Sequence, residues 1–332
     1  NLNDKKINII KWEEYLNYEQ YSYKWHKTKK PTIAIIYAVG GMMSGESNPG
    51  PTGSSIMGDI TIKKAIKEAR ENKDIDAIVL RIDSGGGSSL ASDMIWREIY
   101  KTTTEDRKNK KPFIVSMSDA AASGGYYIAC EADKIVANET SITGSIGVYW
   151  IRINFSQLLN RIGIYSENII RGENADFGTS SRLLSDMEKE IAYESVMDVY
   201  NTFKEKVING RETLDDINQL DEIALGRVWS GKEAKANGLI DEIGGLHDAI
   251  NFSKESIGIN SQSEVNIIEY PEVKEFNFFN FLNNEDKSNL TEINLKSLFP
   301  NEISDEINTL NIIPVIMDDD IQLLIPFSIV SD

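Results

Sequence analysis

The sequence predicts an α/β fold in which a mostly parallel β-sheet is covered by flanking helices. Short β-branched runs alternate along the chain with segments whose apolar residues recur at helical spacing. Sharp glycine-rich loops follow two of the predicted strands, at residues 40–41 and 85–87. Because parallel strands need a crossover connection, usually a helix, this alternation favours a parallel sheet with helices packed against it.

The elements follow in order from residue 32. A run of Thr, Ile, Ala and Tyr predicts a strand at 32–38, and apolar residues at helical spacing predict a helix at 59–72. Further strands are predicted at 77–83, 112–117 and 134–138, and further helices at 90–100, from Ser123, at about 183–208, and from Ser230 to 236. Ser230 and Glu233 have capping-box spacing, and Gly238 closes that helix.

The chain divides into three parts by composition. Residues 1–31 are polar and aromatic without a clear period and are expected to be a linker. Residues 32–257 carry the regular pattern, and residues 258–332, rich in Asn, Phe and Asp, are expected to be a peripheral extension. No run approaches the roughly 20 consecutive apolar residues that a membrane span needs, and the first residues resemble neither a signal peptide nor a transit peptide. Since it begins without Met, we expect a further segment upstream of Asn1.

Charge and cysteine content narrow the function classes. A formal net charge of -17 argues against a nucleic-acid partner, because phosphate binding needs clustered Lys and Arg. Cys130 is the single cysteine, which excludes an intrachain disulfide framework and a metal site built from several thiolates. We expect neither a metal nor a cofactor.

Ser123, in the run Ala-Ala-Ala-Ser-Gly-Gly-Tyr-Tyr, is a candidate nucleophile. A serine hydroxyl attacks when a base takes its proton, and a helix N-terminus favours the developing anion. The glycines after it, Gly124 and Gly125, let a substrate backbone come close. The alternative is that Ser123 only caps the helix, as most serines in this position do. Taken alone, the motif favours the cap.

Two further small-residue segments are candidates for the same site. The run Ser-Gly-Gly-Gly-Ser at 84–88 follows a strand, and its amides suit an oxyanion hole. A tight turn is the alternative, and a phosphate loop ranks last because no Gly-Lys-Ser/Thr follows. In the run Thr-Gly-Ser-Ile-Gly-Val at 143–148, Ser145 is a candidate donor or acceptor near the nucleophile, although alone the run indicates only a turn.

No histidine is well placed as a base. His26 lies in the linker and His247 at the start of a late helix, and each is expected to be an exposed polar residue. If Ser123 is catalytic, the expected base is a lysine whose pKa is lowered by burial, so that its neutral amine accepts the proton.

Together these segments resemble the signal peptide peptidase A family, also called protease IV, whose members are Ser/Lys peptidases of the Clp-protease and crotonase-like fold. The resemblance covers about residues 32–257 and includes the motifs at 77–88, 120–127, 133–138, 143–147 and 228–241. It implies that Ser123 is the nucleophile of a serine endopeptidase, that the Gly86 amide contributes to the oxyanion hole, and that Ser145 steadies the lysine.

The same resemblance implies how substrates bind. Extended peptides, such as cleaved signal peptides and similar short apolar segments, would add as a strand to edges beside the active site. The residues assigned to these edges are Gly85, Gly87, Ser88, Gly124, Ile146, Gly147 and Val148.

Two positions depart from the family pattern. Gly85 replaces the usual Pro of the oxyanion loop, which loosens the loop but keeps its amides. Short-form members carry the catalytic Lys in a Gly-x-Tyr-Lys-like segment, and here Ala175 in Gly-Glu-Asn-Ala-Asp takes its place. Long-form members place the Ser in a C-terminal half and the Lys in an N-terminal half, and this chain resembles such a C-terminal half.

That comparison implies partners and a location. An upstream half would supply the lysine and a membrane anchor, the active site would face the periplasm or another extracytoplasmic space, and the protein would form a homo-oligomeric ring. Two other functions are possible for this sequence: a catalytically inactive peptide-binding scaffold, and a crotonase-like acyl-CoA enzyme, for which no acid/base pair or adenine site is visible. A further alternative is that the peptidase takes its base from this chain. Lys63 and Lys134 are the candidates for that base, and both are expected to face solvent.

Overall fold

The computed structural model describes residues 30–49, 55–214, 216–271 and 321–324. The predicted linker at 1–31 lies almost wholly outside the described residues, and so does His26.

The described elements alternate as the sequence predicts. The strands are β1 Thr32–Val39, β2 Gly41–Met43, β3 Asn48–Pro49, β4 Ser55–Gly58, β5 Ala77–Ser84, β6 Gly86–Ser88, β7 Phe113–Ala122, β8 Lys134–Ala137, β9 Ile142–Gly144, β10 Tyr149–Trp150, β11 Val228–Ser230, β12 Glu242–Ile243, β13 Asn266–Tyr270 and β14 Ile321–Leu324. The helices are α1 Asp59–Glu71, α2 Ser89–Tyr100, α3 Gly124–Ala129, α4 Ser156–Arg161, α5 Asp186–Gly210, α6 Ile217–Ile223, α7 Gly231–Ala236 and α8 Leu246–Ser256, with a π-helical turn at Lys101–Glu105.

The main sheet has eight strands and is mostly parallel, which confirms the predicted fold class. Its order is β11-β9-β7-β5-β1-β13, with β8 pairing with β7 and β12 with β8. The pair β11 and β9 is antiparallel, and the other pairs in this sheet are parallel.

Alternate residues of the central strands enter two apolar clusters, as expected for a sheet covered on both faces. Ala34 and Ile78 belong to the larger cluster, which also takes in residues of α1, α2, α3 and α5. Ile33 and Val79 belong to a smaller cluster beneath α8. The sheet therefore lies between a layer of several helices on one face and α8 on the other.

A second sheet of six short strands, in the order β10-β14-β6-β2-β4-β3, lies beside the main one. Strand β2 runs parallel to β4 and β6, whereas β14 is antiparallel to both of its neighbours. The expected peripheral extension, 258–332, thus contributes β13 to the main sheet and β14 to the second. The sequence did not predict either strand.

Some boundaries differ from prediction for identifiable reasons. Helix α5 begins at Asp186, three residues later than expected, because the Ser185 hydroxyl accepts from the Glu188 N–H and the Glu188 carboxylate accepts from the Ser185 N–H. The capping box at Ser230 and Glu233 is confirmed. Strand β7 continues to Ala122 instead of ending at 117, and it therefore ends directly at the candidate nucleophile.

Candidate active site

The candidate residues meet at the carboxyl ends of three neighbouring strands. Strand β7 pairs with β5, where Ser84 lies opposite Ala121, and with β9, where Ala122 lies opposite Gly144. The loops after these strands carry the three segments singled out from the sequence. This end of a parallel sheet is where α/β folds commonly bind ligands.

Ser123 occupies a sharp turn between β7 and α3. Its backbone has φ 53 and ψ -114, in the left-handed half of conformational space that non-glycine residues rarely adopt. Its N–H donates to the Gly144 carbonyl at 2.9 Å, and its carbonyl accepts from the Tyr127 N–H at 2.8 Å. Backbone bonds on both sides therefore hold the strained turn in place.

The Ser123 hydroxyl does not cap α3. The side chain makes no capping bond, the residue is fully buried, and its Oγ has no hydrogen-bond partner among the described residues. The interpretation of Ser123 as a helix cap is therefore wrong. A buried hydroxyl without a partner on a strained turn has no structural role here, and both features are typical of a nucleophile.

Glycines let the loops around Ser123 pack closely. A Cβ on Gly125 would lie 2.6 Å from the Ser84 carbonyl oxygen. At Gly87, where φ is +154, a Cβ would lie 2.2 Å from the Met42 carbonyl oxygen. Larger residues would push the 84–88 loop away from α3 and β2.

The 84–88 segment forms β6 and then leads into α2. The Gly86 N–H, the expected oxyanion donor, donates to the Ser84 hydroxyl at 3.1 Å. The Ser88 hydroxyl accepts from the Ala91 N–H at 3.1 Å and caps α2. The segment therefore contains a tight turn and also a short extended strand near the candidate nucleophile.

Ser145 directly follows Gly144, whose carbonyl accepts the hydrogen bond from the Ser123 N–H. It is buried with φ 48, and its N–H donates to the Arg227 carbonyl at 2.7 Å. Neighbouring Thr143 donates from its hydroxyl to the Ala121 carbonyl at 2.7 Å, which joins this loop to the end of β7. The left-handed backbone at Ser123 and Ser145 had no signal in the sequence.

The lysines considered from the sequence have other partners. Lys63 forms an ion pair with Asp59 at 2.6 Å, and the Lys134 ammonium lies 4.2 Å from the centre of the Phe252 ring. Both side chains are only partly exposed, and neither approaches Ser123 through these contacts.

Burial lowers the pKa of Lys111, which is the property expected of a lysine base. However, its ammonium donates to the Ala69 carbonyl at 2.8 Å and to the Asn72 carbonyl, which fixes it at the end of α1. Its low pKa is therefore a consequence of structural burial. Among the described residues no lysine is hydrogen-bonded to the Ser123 hydroxyl.

Ala175, which the resemblance noted above puts in the place of a catalytic lysine, is exposed. It lies in a turn that is attached to β10, because the rings of Phe177 and Trp150 stack with centroids 6.1 Å apart. His247 is exposed at the start of α8, as expected.

An apolar cavity of about 400 Å³ opens beside Ser145. Its lining comes from the loop before β10, from α5 and from the loop after α6, and it consists of Ser145, Gly147, Val148, Tyr149, Val196, Met197, Tyr200, Leu225 and Gly226. Burial raises the pKa of Tyr149 to about 12, so this ring stays neutral. The sequence predicted Gly147 and Val148 at the site, but it gave no sign that α5 contributes.

The described residues contain no group of three or more His, Cys, Asp or Glu residues arranged to hold a metal ion. Within the same residues, each helix is too short or too polar to cross a bilayer.

Comparison with known proteins gives a match to a family model and to several named relatives. A model described as "Peptidase family S49" matches residues 105–260. The chain is 40% identical over 268 residues to "Serine protease SPPA, chloroplastic" of Arabidopsis thaliana, covering 80% of this chain and 38% of that protein. It is 38% identical over 239 residues to "Protease 4" of Salmonella typhi, covering 70% and 37%.

A shorter relative is matched over most of its length. A Synechocystis protein named as a protease is 33% identical over 211 residues, which is 63% of this chain and 73% of that protein. In contrast, the chain spans about two fifths of the length of the Arabidopsis and Salmonella proteins.

Proposed function

The chain belongs to peptidase family S49, and we propose that it is the serine-bearing part of a Ser/Lys endopeptidase whose lysine comes from outside this chain. The observation that carries the proposal is the Ser123 hydroxyl, which is buried, on a strained turn and without a described partner. Ala175, in the place of the family lysine, explains why no base faces it.

In this mechanism Ser123 forms a bond to the carbonyl carbon of a bound peptide. A neutral lysine amine takes the hydroxyl proton and then delivers it to the leaving amine, and water hydrolyses the resulting acyl-enzyme. The Gly86 amide stabilises the oxyanion by exchanging its bond to the Ser84 hydroxyl for one to the substrate oxygen. Ser145, buried beside the nucleophile, positions the incoming lysine.

Substrates would be extended apolar peptides, including cleaved signal peptides. Support comes from the strands β6 and β10 near Ser123, both of which pair with an extended segment, β14, in the structure, and from the apolar cavity of about 400 Å³ next to β10. Gly85, Gly87, Ser88, Gly124, Ile146, Gly147 and Val148 would contact the substrate backbone. A membrane anchor, an extracytoplasmic active site and a homo-oligomeric ring are part of the same proposal, and they follow from the resemblance to long-form members.

The second candidate is a peptide-binding scaffold without catalysis, and the loss of a lysine at Ala175 is the observation that favours it. The unpartnered Ser123 hydroxyl favours the peptidase, because a strained, buried serine costs stability and contributes nothing to peptide binding alone.

The test is to supply the missing base within the chain. Ala175→Lys should allow a fluorophosphonate probe to modify Ser123, because position 175 is where the family pattern places the lysine. Ala175→Arg carries the charge but keeps its proton, and Ala175→Met has similar length without an amine, so neither should react. If Ala175→Lys reacts no faster than these two controls, the assignment of position 175 is refuted.

A further inference from the structure

The strand β14 comes from the far end of the chain and lies between the two edges that flank Ser123. On one side it pairs antiparallel with β6, where Leu323 lies opposite Gly87 and Leu324 opposite Gly86. On the other side it pairs antiparallel with β10. A distant segment of the same chain therefore occupies the space between β6 and β10.

Both neighbours of β14 belong to the candidate active site. Strand β6 is the oxyanion loop itself, and β10 follows Ser145 in the loop that carries the cavity lining. Strand β14 also contacts α3, the helix that begins directly after Ser123. It thus occupies the gap between β6 and β10, which is the gap assigned above to an extended substrate peptide.

The backbone pairing is the kind that a substrate would use. β-Addition satisfies backbone donors and acceptors along an edge whatever the side chains are, and it needs only an extended segment. The sequence of β14 is Ile-Gln-Leu-Leu, which is uncharged in a chain with a formal net charge of -17. Its composition matches the apolar peptides proposed as substrates.

We infer that Ile321–Leu324 is a built-in pseudosubstrate, which blocks the peptide groove until a substrate displaces it. The inference rests on the proposed function, because it takes the groove between β6 and β10 as the peptide site. A segment that occupies the site in most molecules raises the apparent Kd for a peptide in inverse proportion to the fraction of molecules in which the site is open. It also covers two strand edges that would otherwise be open to pairing with other chains.

The experiment compares three chains in their affinity for one probe, a fluorescein-labelled Ala-Leu-Ala-Leu-Ala-Leu peptide, by fluorescence anisotropy. A chain ending at Asp320 lacks β14, whereas a chain ending at Leu324 keeps it and serves as the matched control. We expect the chain ending at Asp320 to bind the probe at least about tenfold more tightly, equivalent to about 1.4 kcal/mol, and the control to bind like the full chain. An unlabelled peptide with the sequence of residues 319–326 should displace the probe from the shortened chain.

A second pair of variants keeps the chain length. Leu323→Pro removes a backbone N–H from β14 and should also tighten probe binding, whereas Leu323→Ala keeps the N–H and should not. Equal affinity of the full and shortened chains would overturn the pseudosubstrate and leave the peptidase proposal standing. If no chain binds the probe while circular dichroism shows that all are folded, the peptide groove itself is refuted, and the inference is refuted with it.

Discussion

Replacing Ser123 with Ala should stabilise the protein while abolishing the proposed chemistry. An unsatisfied buried hydroxyl costs about 1–3 kcal/mol, and Ser123→Ala removes it without disturbing a described hydrogen bond. We therefore expect the free energy of unfolding to rise by about 1 kcal/mol, which corresponds to a melting temperature about 2–4 °C higher. Ser123→Gly also relieves the positive φ, worth about 1–2 kcal/mol, but loses about 0.5–1 kcal/mol through its more flexible unfolded state.

The matched control is Ser116, a fully buried serine on the same strand β7. Its hydroxyl accepts from the Arg81 guanidinium at 2.8 Å, so Ser116→Ala should destabilise by about 1–2 kcal/mol. Urea denaturation followed by circular dichroism measures both changes. If Ser123→Ala destabilises the protein as much as Ser116→Ala does, the hydroxyl has a structural role and the argument from its isolation fails.

Three further outcomes are expected. Gly125→Ala places a Cβ 2.6 Å from the Ser84 carbonyl oxygen, so urea denaturation should show a loss of about 1–3 kcal/mol; an unchanged midpoint would mean that the loops around the nucleophile are not closely packed. Lys111→Met leaves two carbonyls at the end of α1 without their donor and should cost about 1–3 kcal/mol, whereas a neutral effect would contradict the assignment of Lys111 as a structural residue. Hydrogen bonds from Arg182 lower the pKa of Glu188 to about 2. The contribution of Glu188 to stability is therefore present above its unfolded pKa near 4.5 and is lost as the pH falls toward 2. Arg182→Met should flatten the dependence of the free energy of unfolding on pH in this range, and an unchanged dependence would exclude the Arg182–Glu188 pair as its source.

The class of the main sheet could be predicted from the sequence because its signals are local. The β-branched runs give the central strands and the helical spacing gives the crossovers, which together predict a mostly parallel sheet, whereas the strand order was not predicted. The capping box at Ser230 and Glu233 is predictable for the same reason, since both partners lie within one helical turn.

What the sequence could not show depends on contacts between distant segments. Whether Ser123 caps α3 is decided by its backbone angles, which the Gly144 carbonyl helps to fix from another strand. The part of α5 in the cavity wall, and the pairing of β14 with β6, likewise join segments far apart in sequence. The contacts of Lys63 with Asp59 and of Lys134 with Phe252 were not predicted, because each lysine lies on the surface of its element, where tertiary packing decides exposure.

The most direct test of the central claim, that Ser123 is a nucleophile whose base lies outside this chain, is its modification by a fluorophosphonate, read by mass spectrometry. In a protein that joins this chain to a lysine-bearing half, we expect a single adduct on Ser123, and none when Ser123 is replaced by Ala. In the isolated chain we expect almost no adduct, since no described lysine is bonded to the Ser123 hydroxyl. An adduct on another serine, or no adduct in the joined protein, would contradict the claim.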